Sequence, residues 1–251
     1  MNPEALLSVA RQAAEAGAAE LVKKYRGSFQ INTKSNEADY VTDADLASET
    51  AVREVLARLR PNDTVTGEEY DDTHGENSAV YWSIDPLDGT VNFARGLPNW
   101  AVSVGAKDLK TGEWVAGVVY SPMLGVTYYA HKGGGAFAER EGKSTQLTGP
   151  IERSTKIVAT GFSYSPEDRV RQFARLTELM PNFVDVRRIG AASLDMCMVA
   201  EGMVDVYFEV GIKEWDWAGA MVIAEEAGLK VIRPAFDGDL GVVARDLSLF
   251  I

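Results

Sequence analysis

The hydrophobic pattern of this chain changes its period along the sequence, and the order of the periods limits the folds that it can adopt. Apolar residues recur at helical spacing over residues 4–25 and again over 43–59, where Thr42 and Asp45 are placed to form a capping box. Strand-like runs then follow one another, and the second half alternates strands with helices. The predicted strands are 80–84, 100–106, 114–120, 126–130, 157–161, 183–187, 204–208 and 229–232, and the later predicted helices are 166–180, 191–200 and 215–227. Antiparallel-looking strands first and mixed elements later predict an α/β (α+β) fold of layered sheets and helices, not a simple parallel wound sheet.

Composition narrows the environment and the partners. The 251 residues are 46% hydrophobic, which is enough for one core or for two closely packed halves. A net charge of -12 repels nucleic acid and anionic membranes, so we expect no direct nucleic-acid binding and no membrane association. The single cysteine, Cys197, cannot form an intrachain disulfide. The first residues show no basic stretch followed by an apolar run, and we expect a cytoplasmic protein.

Two aspartates lie at the end of the first predicted strand, 80–84. Asp85 ends the strand, and Pro86 and Gly89 are expected to turn the chain sharply, so that Asp85 and Asp88 converge on one point. Paired anions at a sheet edge repel each other unless a cation neutralises them, and magnesium prefers such oxygen ligands. The carbonyl of Leu87 would face the same point. The stretch therefore predicts a divalent-metal site.

The residues that follow favour phosphate binding. Gly89 and Thr90 offer backbone N–H groups at an expected helix start, where an anion can be bound. An isolated turn rich in aspartate and glycine with ordinary caps is the structural alternative for this motif.

Further acids lie before and after this stretch, in the segments 39–45, 67–69 and 215–220. Taken singly, each has a plain structural explanation. Asp43 and Asp45 suit the N-terminus of a helix, Glu68 and Glu69 suit a solvated loop, and Asp216 suits the first turn of a helix. The order and spacing of all four acidic segments together need a further explanation.

The four segments resemble, in order and approximate spacing, the pattern of the inositol monophosphatase family, and the run 185–216 most resembles its bacterial members. The resemblance extends over residues 4–232 and includes the segments 92–98, 116–122, 133–137, 187–195 and 200–202. It implies a layered α-β-α-β-α sandwich of the inositol monophosphatase/fructose bisphosphatase type. It also implies a single domain over 1–251, with halves of about 1–150 and 151–251 and the site between them, in a homodimer.

The resemblance also assigns roles to individual residues. It implies a lithium-sensitive phosphatase that uses about two or three magnesium ions per site to cleave a small phosphate monoester. Asp45 and Thr90 match the pair that helps to orient and deprotonate the attacking water. Glu68 would also accept a hydrogen bond from this water. The implied metal ligands are Glu68, Asp85, Asp88, Asp216 and the carbonyl of Leu87, and the implied substrate contacts are Asp88, Gly89, Thr90, Ala192, Glu209 and Asp216.

The substrate is less constrained than the chemistry. Phe162 follows Gly161 where some members of the family have a polar substrate contact, and Glu209 also suits a surface acid at a strand end. Inositol monophosphate or a similar polyol phosphate is the expected substrate. Histidinol phosphate, fructose bisphosphate and adenosine bisphosphate remain alternatives, and so does a regulatory scaffold that acts through a protein partner.

Other phosphatase mechanisms lack their key residues. His74 and His131, the two histidines, have no basic neighbours of the kind that a histidine nucleophile needs. Cys197 lies within an apolar predicted helix and is expected in the core, not as a nucleophile. The glycines of 133–135 are followed by a strand-like run, so they predict a tight hairpin and not a dinucleotide-binding turn.

Overall fold

Helices and strands alternate with short loops in the computed structural model, which describes residues 2–33, 40–236 and 238–250. The helices are α1 (Pro3–Lys24), α2 (Asp43–Leu59), α3 (Thr90–Ala94), α4 (Pro166–Leu179), α5 (Ala192–Glu201) and α6 (Glu214–Glu226). The strands are β1 (Ile31–Thr33), β2 (Tyr40–Thr42), β3 (Thr64–Gly67), β4 (Val80–Asp88), β5 (Ala101–Asp108), β6 (Glu113–Ser121), β7 (Val126–His131), β8 (Gly135–Arg140), β9 (Lys143–Leu147), β10 (Ile157–Thr160), β11 (Asp185–Arg187), β12 (Val206–Val210), β13 (Lys230–Ile232) and β14 (Leu240–Ala244).

Two large sheets carry the fold. The first has the order β3-β4-β5-β6-β7-β8-β9 and is antiparallel except for its parallel β3–β4 pair. The second has the order β11-β10-β12-β14-β13, in which β10 runs parallel to both neighbours and β14 antiparallel to both of its own. The predicted change from antiparallel strands to mixed elements is confirmed. Strands β1 and β2 form a separate antiparallel pair.

The helices and sheets stack in five layers. Helices α1 and α2 cover one face of the first sheet and share a core with it. Helices α5 and α6 pack together between the two sheets. Helix α4 covers the outer face of the second sheet through Leu176 and Leu179, which pack near Val158 and Phe208. The predicted α-β-α-β-α sandwich is confirmed.

Glycines allow α6 to lie unusually close to the first sheet. A Cβ atom on Gly117 of β6 would stand 2.2 Å from the carbonyl oxygen of Gly219 in α6. A Cβ atom on Gly219 would in turn meet Ser103 Oγ at 2.9 Å and the Val104 carbonyl at 3.0 Å. This backbone contact fixes α6 relative to β5 and β6. Asp216, in the first turn of the same helix, borders one cleft with Asp85 and Asp88 at the end of β4.

Most predicted elements agree with the structure to within about two residues, whereas the end of β4 differs. The sequence predicts that this strand stops at Asp85 and turns, but β4 continues to Asp88 with a shifted register against β5. The sequence did not predict the strands β1, β2, β3, β9 and β14. The edge strand β9 shows no hydrophobic alternation, because it is almost wholly polar and exposed. The glycines at 133–135 form the predicted hairpin between β7 and β8.

Among the described residues, none of the helices combines the length and the apolar character that a membrane span requires.

The buried pair Trp82 and Trp100 offers a test of one buried hydrogen bond. Both residues are 0% exposed. Trp82 Nε1 donates to Asp63 Oδ2 at 2.9 Å, whereas within the described residues Trp100 Nε1 has no partner. Replacing either by phenylalanine removes the same volume, but only Trp82→Phe also removes a hydrogen bond to a carboxylate. We expect Trp82→Phe to lower the free energy of unfolding by about 1–2 kcal/mol more than Trp100→Phe.

Urea unfolding of the two variants and the unmodified protein measures this difference. Asp63 stays paired with Arg60 at 2.6 Å in either variant, so no carboxylate is left without a partner. If Trp100→Phe lowered the free energy of unfolding as much as Trp82→Phe or more, the stabilising role of the Trp82–Asp63 hydrogen bond would be contradicted.

Candidate functional site

The end of β4 directs two carboxylates into one cleft. Asp85 pairs with Ser103 of β5 and Asp88 pairs with Ala101, so three steps along β4 match two along β5. Leu87 N donates to Asp85 Oδ1 at 3.0 Å, which folds the bulged chain back on that side chain. A bulge of this kind re-aims side chains at a sheet edge. Asp85 and Asp88 therefore border the same cleft without the sharp turn that the sequence predicts.

The carboxylate of Asp88 ties β4 to the start of α5. Ala192 N donates to its Oδ1 at 3.0 Å, and Ser193 N donates to its Oδ2 at 2.8 Å. The hydroxyl of Ser193 makes a short hydrogen bond to the same Oδ2. Asp88 thus joins the end of β4 to the start of α5, which lies 104 residues further along the chain.

Asp45 and Thr90 lie in contact next to this edge. Gly89 adopts the left-handed region with φ of 92° and lets the strand turn directly into α3. Thr90 Oγ1 lies 3.1 Å from Asp45 Oδ1 and 3.0 Å from the Leu87 carbonyl oxygen. Asp45 is fully buried, and its Oδ2 accepts from Thr42 N at 2.8 Å in the predicted capping box. The structure brings the pair together, and their action on water remains a prediction.

Glu68 and Asp216 reach the cleft from two further segments. Glu68 follows β3 directly and is half-buried. Asp216 lies in the first turn of α6, where its Oδ2 accepts from Lys213 N at 2.6 Å. Both border the cleft together with Asp85, Leu87 and Asp88. Asp39, which opens the upstream acidic segment, lies outside the described residues.

Burial raises the pKa values of three of these acids, and neighbouring acids add to the shift in two of them. The pKa of Asp85 is well above its ordinary value because the group is buried and because Glu68, Asp88 and Asp216 are near. The pKa of Asp216 is raised by burial, Asp88 and Glu68. Burial also raises the pKa of Asp88, although its bonds from Ser193 and Ala192 oppose the shift. A group of carboxylates with these properties favours binding of a cation, which would lower all of these pKa values.

These acids supply the type of ligand atom that a hard divalent cation prefers, but their side chains are too far apart to enclose one. Among the described residues, no three Asp, Glu, His or Cys side chains stand close enough together to enclose an ion. Asp88 directs both oxygens to Ala192 and Ser193, and a cation would compete with those donors. All the atoms available are carboxylate and carbonyl oxygens, which are the ligands that magnesium prefers.

The second sheet supplies the opposite wall of the cleft. Glu209 on β12 is half-buried and accepts a hydrogen bond from Tyr207 at 3.0 Å. Burial raises the pKa of Glu209 to about 7, against the lowering effects of Tyr207 and of Arg188. Glu209 is therefore part of the cleft and not a solvated surface acid. The cleft has a volume of about 570 Å³, and Gly89, Thr90 and Ala192 also border it.

Sequence reasoning missed two polar residues of this region. Arg188 is exposed at the cleft beside Glu209. Asp195 of α5 is 1% exposed, and neither of its carboxylate oxygens has a hydrogen-bond partner among the described residues. Burial and the nearby Glu209 and Asp88 raise its pKa well above the ordinary value. The signal in the sequence was a carboxylate within an apolar helical run next to Cys197, which is buried as predicted.

A second depression of about 700 Å³ lies along α6, beside Trp114 and Trp217. Two of its cations are matched by acids, since Lys132 pairs with Glu113 and Arg233 pairs with Glu225, and the third, Lys107, lies over the ring of Trp114. The cleft with the convergent acids is the stronger candidate for chemistry.

Glu209→Gln offers a test of the raised pKa. Because the folded pKa of about 7 exceeds the ordinary value of 4.5, the folded chain holds this proton more tightly than the unfolded chain. Stability from this group is therefore present below pH 4.5 and lost as the pH rises through about 7. The variant should gain stability over the unmodified protein across that window, by an order of 1–2 kcal/mol once solvent in the cleft is allowed for.

Urea unfolding at pH 4.5, which equals the ordinary pKa of the group, and at pH 8 measures this gain in stability. Asp185→Asn is the control, since the partner Arg187 lowers the pKa of Asp185 from its ordinary 3.8, which is already below both pH values. The stability difference between that variant and the unmodified protein should therefore be nearly the same at pH 4.5 and at pH 8. A Glu209→Gln difference that does not depend on pH would contradict the raised pKa.

Comparisons with known proteins agree with this architecture. The sequence model of the inositol monophosphatase family matches residues 2–246. An inositol-1-monophosphatase, SuhB of Mycobacterium tuberculosis, is 42% identical over 212 residues, which cover 82% of this chain and 72% of that protein. The Nus factor SuhB of Pasteurella multocida is 38% identical over 231 residues, or 91% of this chain and 84% of its own. The crystal structure of the extragenic suppressor protein SuhB from Bartonella henselae superimposes with a TM-score of 0.86 at 30% identity, covering 96% of this chain and 94% of that one. The chain therefore belongs to the inositol monophosphatase family, a family of phosphatases.

Proposed function

We propose that this protein is a magnesium-dependent phosphomonoesterase that hydrolyses inositol monophosphate, or a similar small polyol phosphate, to the free polyol and phosphate. The observation that carries the proposal is the meeting of acids from separate segments in one cleft beside the Thr90–Asp45 pair. The Mycobacterium tuberculosis relative, an inositol-1-monophosphatase at 42% identity, supports the choice of substrate.

The carboxylates are assigned to the metal. Glu68, Asp85, Asp88 and Asp216, with the carbonyl of Leu87, would hold about two or three magnesium ions. Bound magnesium supplies positive charge that eases deprotonation of a water molecule and stabilises the transferring phosphoryl group. The raised pKa values of Asp85 and Asp216 support this role, because a buried group of acids needs such a charge to remain ionised.

The buried Thr90–Asp45 pair is assigned to the nucleophilic water. Asp45 Oδ2 accepts a hydrogen bond from Thr42 N, and Asp45 Oδ1 accepts one from the Thr90 hydroxyl. Because the Thr90 hydroxyl donates to Asp45, a lone pair of Thr90 Oγ1 can accept a hydrogen bond from the water. This arrangement orients the water and draws one of its protons towards Thr90 and Asp45, and Glu68 would accept a hydrogen bond from the other O–H group of the water.

The remaining contacts are assigned to the substrate. The N–H groups of Gly89 and Thr90 precede the first helical hydrogen bond of α3, which Phe93 N donates to the Gly89 carbonyl, so they can bind phosphate oxygens. Glu209 would accept hydrogen bonds from substrate hydroxyls. Ala192 would contribute packing, since its N–H is held by Asp88.

A regulatory role through a protein partner is the second candidate. It is favoured by the Pasteurella multocida relative, which is named a Nus factor. The net charge of -12 opposes direct contact with nucleic acid in either case. The proposal further places a homodimer in the cytoplasm, in keeping with the absence of any cysteine besides Cys197.

Phosphate release from a panel of substrates tests the proposal. The panel contains inositol monophosphate, histidinol phosphate, fructose bisphosphate and adenosine bisphosphate, each with magnesium and with a chelator. We expect magnesium-dependent release that is fastest from inositol monophosphate and inhibited by lithium but not by sodium at equal ionic strength. Release that is fastest from another substrate would replace the substrate class. No release from any of them would favour the regulatory scaffold.

Asp88→Asn tests the metal assignment. The amide keeps the volume of the side chain but loses a negative charge, so turnover should fall about a hundredfold or more. Asp108→Asn is the matched control, because Asp108 ends the neighbouring strand β5 at the edge away from the cleft. Far-UV circular dichroism and a melting curve confirm that both variants are folded. A nearly normal rate in folded Asp88→Asn would refute the assignment.

A further inference from the structure

The carboxylate of Asp88 caps helix α5 from a distant part of the chain. The helix begins at Ala192, and its own N-cap residue, Ala191, has no side chain that could accept a hydrogen bond. The first N–H groups of a helix find no partner within the helix. Asp88 satisfies two of them, because its Oδ1 accepts from Ala192 N at 3.0 Å and its Oδ2 accepts from Ser193 N at 2.8 Å. The carboxylate is therefore held in one orientation relative to α5.

The hydroxyl of Ser193 makes the two oxygens of Asp88 unequal. Ser193 is fully buried, and its Oγ donates a second, short hydrogen bond to Asp88 Oδ2. Each oxygen of an ionised carboxylate has about two lone pairs that accept hydrogen bonds or bind a cation. Ser193 occupies both lone pairs of Oδ2, whereas among the described residues Oδ1 accepts only from Ala192 N. Asp88 therefore has one oxygen with a lone pair to spare and one oxygen with none.

The segment before α5 is fastened to the element that follows Asp88. Asn92 lies in α3, directly after the end of β4, and its side chain is buried. Its Nδ2 donates to the carbonyl oxygen of Ile189 at 3.0 Å and lies 3.3 Å from that of Gly190. A shift of α5 away from β4 would break these bonds, so the donors of Ser193 stay in place beside Asp88.

The number of free carboxylate oxygens affects which divalent cation is preferred. Calcium takes about six to eight oxygen ligands in a flexible shell and accepts both oxygens of one carboxylate. Magnesium requires a nearly octahedral shell at shorter distances, which the narrow bite of a carboxylate bound through both oxygens distorts. A carboxylate that has one saturated oxygen therefore loses more affinity for calcium than for magnesium.

We propose that Ser193 is a positioning residue that restricts Asp88 to one metal-binding oxygen and so makes the site prefer magnesium over calcium. This inference rests on the proposed function, in which Asp88 is a metal ligand. Ser193 acts through Asp88 and does not itself contact the ion. Its hydroxyl is the donor that a substitution can remove, because the other two donors to Asp88 are backbone N–H groups.

The test is the ratio of the dissociation constant for calcium to that for magnesium, measured without substrate. Free manganese(II) is followed by electron paramagnetic resonance while calcium or magnesium displaces it from the protein. Binding that persists in Asp88→Asn is subtracted, so that the ratio refers to the site of Asp88. Ser193→Ala should tighten calcium binding and lower the ratio about tenfold, the effect of about one hydrogen bond to a charged group.

Two further variants separate the hydroxyl from packing. Ser193→Thr keeps the hydroxyl and should keep the ratio. Ser121→Ala is the matched control, because Ser121 is also fully buried but, within the described residues, its Oγ has no hydrogen-bond partner. That variant should leave the ratio unchanged. Melting curves confirm that each variant is folded, and Ser193→Cys, whose thiol is a weak donor, replaces Ser193→Ala if the alanine variant is not.

Three results overturn the inference in distinguishable ways. An unchanged ratio in folded Ser193→Ala, with cation binding at Asp88 intact, removes the role of Ser193 and leaves the proposed function standing. A ratio that falls equally in folded Ser193→Thr would assign the effect to packing and not to the hydroxyl. If the unmodified protein bound neither manganese nor magnesium in a way that depends on Asp88, the metal assignment of the proposed function would be lost together with this inference.

Discussion

Burial of several carboxylates in one cleft is the constraint on which the rest of this molecule depends. Burial raises the pKa values of Asp85, Asp88 and Asp216, and nearby acids raise those of Asp85 and Asp216 further. Each of the three carboxylates is held in position by a backbone N–H donor. Those donors come from Leu87, Ser193 and Lys213, which lie in three separate parts of the chain. Hydrogen bonds of this kind stabilise the ionised carboxylates and so oppose the rise in their pKa values. The protein scaffold itself therefore holds the acids in the cleft.

The close packing of α6 on the first sheet makes this convergence possible. Gly117 and Gly219 bring backbone to backbone, so any side chain at either position would push the helix outward. Asp216 lies one turn before Gly219 on the same helix, and an outward shift would carry it away from Asp85. The precision of the site thus depends on residues that have no polar chemistry, and catalytic geometry is sensitive to displacements of about 1 Å.

The acids could be predicted from the sequence, but most of their partners could not. Asp85 and Asp88 stand out because their type and spacing are visible along the chain, and the capping box of Thr42 with Asp45 is a local pattern. Ser193 meets Asp88 only through the tertiary fold, across a sequence separation of 105 residues. The bulge in β4 escaped prediction because Pro86 and Gly89 suggest a turn equally well. The strand β9 was missed because only Leu147 of its five residues is buried, so no alternation marks it.

The two walls of the cleft differ in how they are built, and this difference bears on how substrate preference can change. The wall that carries Asp85, Asp88 and Thr90 is one short stretch of chain, where a substitution disturbs several functional atoms at once. The wall that carries Phe162 and Glu209 consists of the ends of two neighbouring strands and a loop fixed by hydrogen bonds. A side chain on that loop can change while Asp85 and Asp88 keep their places, because the donors that hold these two carboxylates are Leu87, Ala192 and Ser193. The two walls can therefore vary separately, so that a change in the loop after β10 need not move the acids at the end of β4.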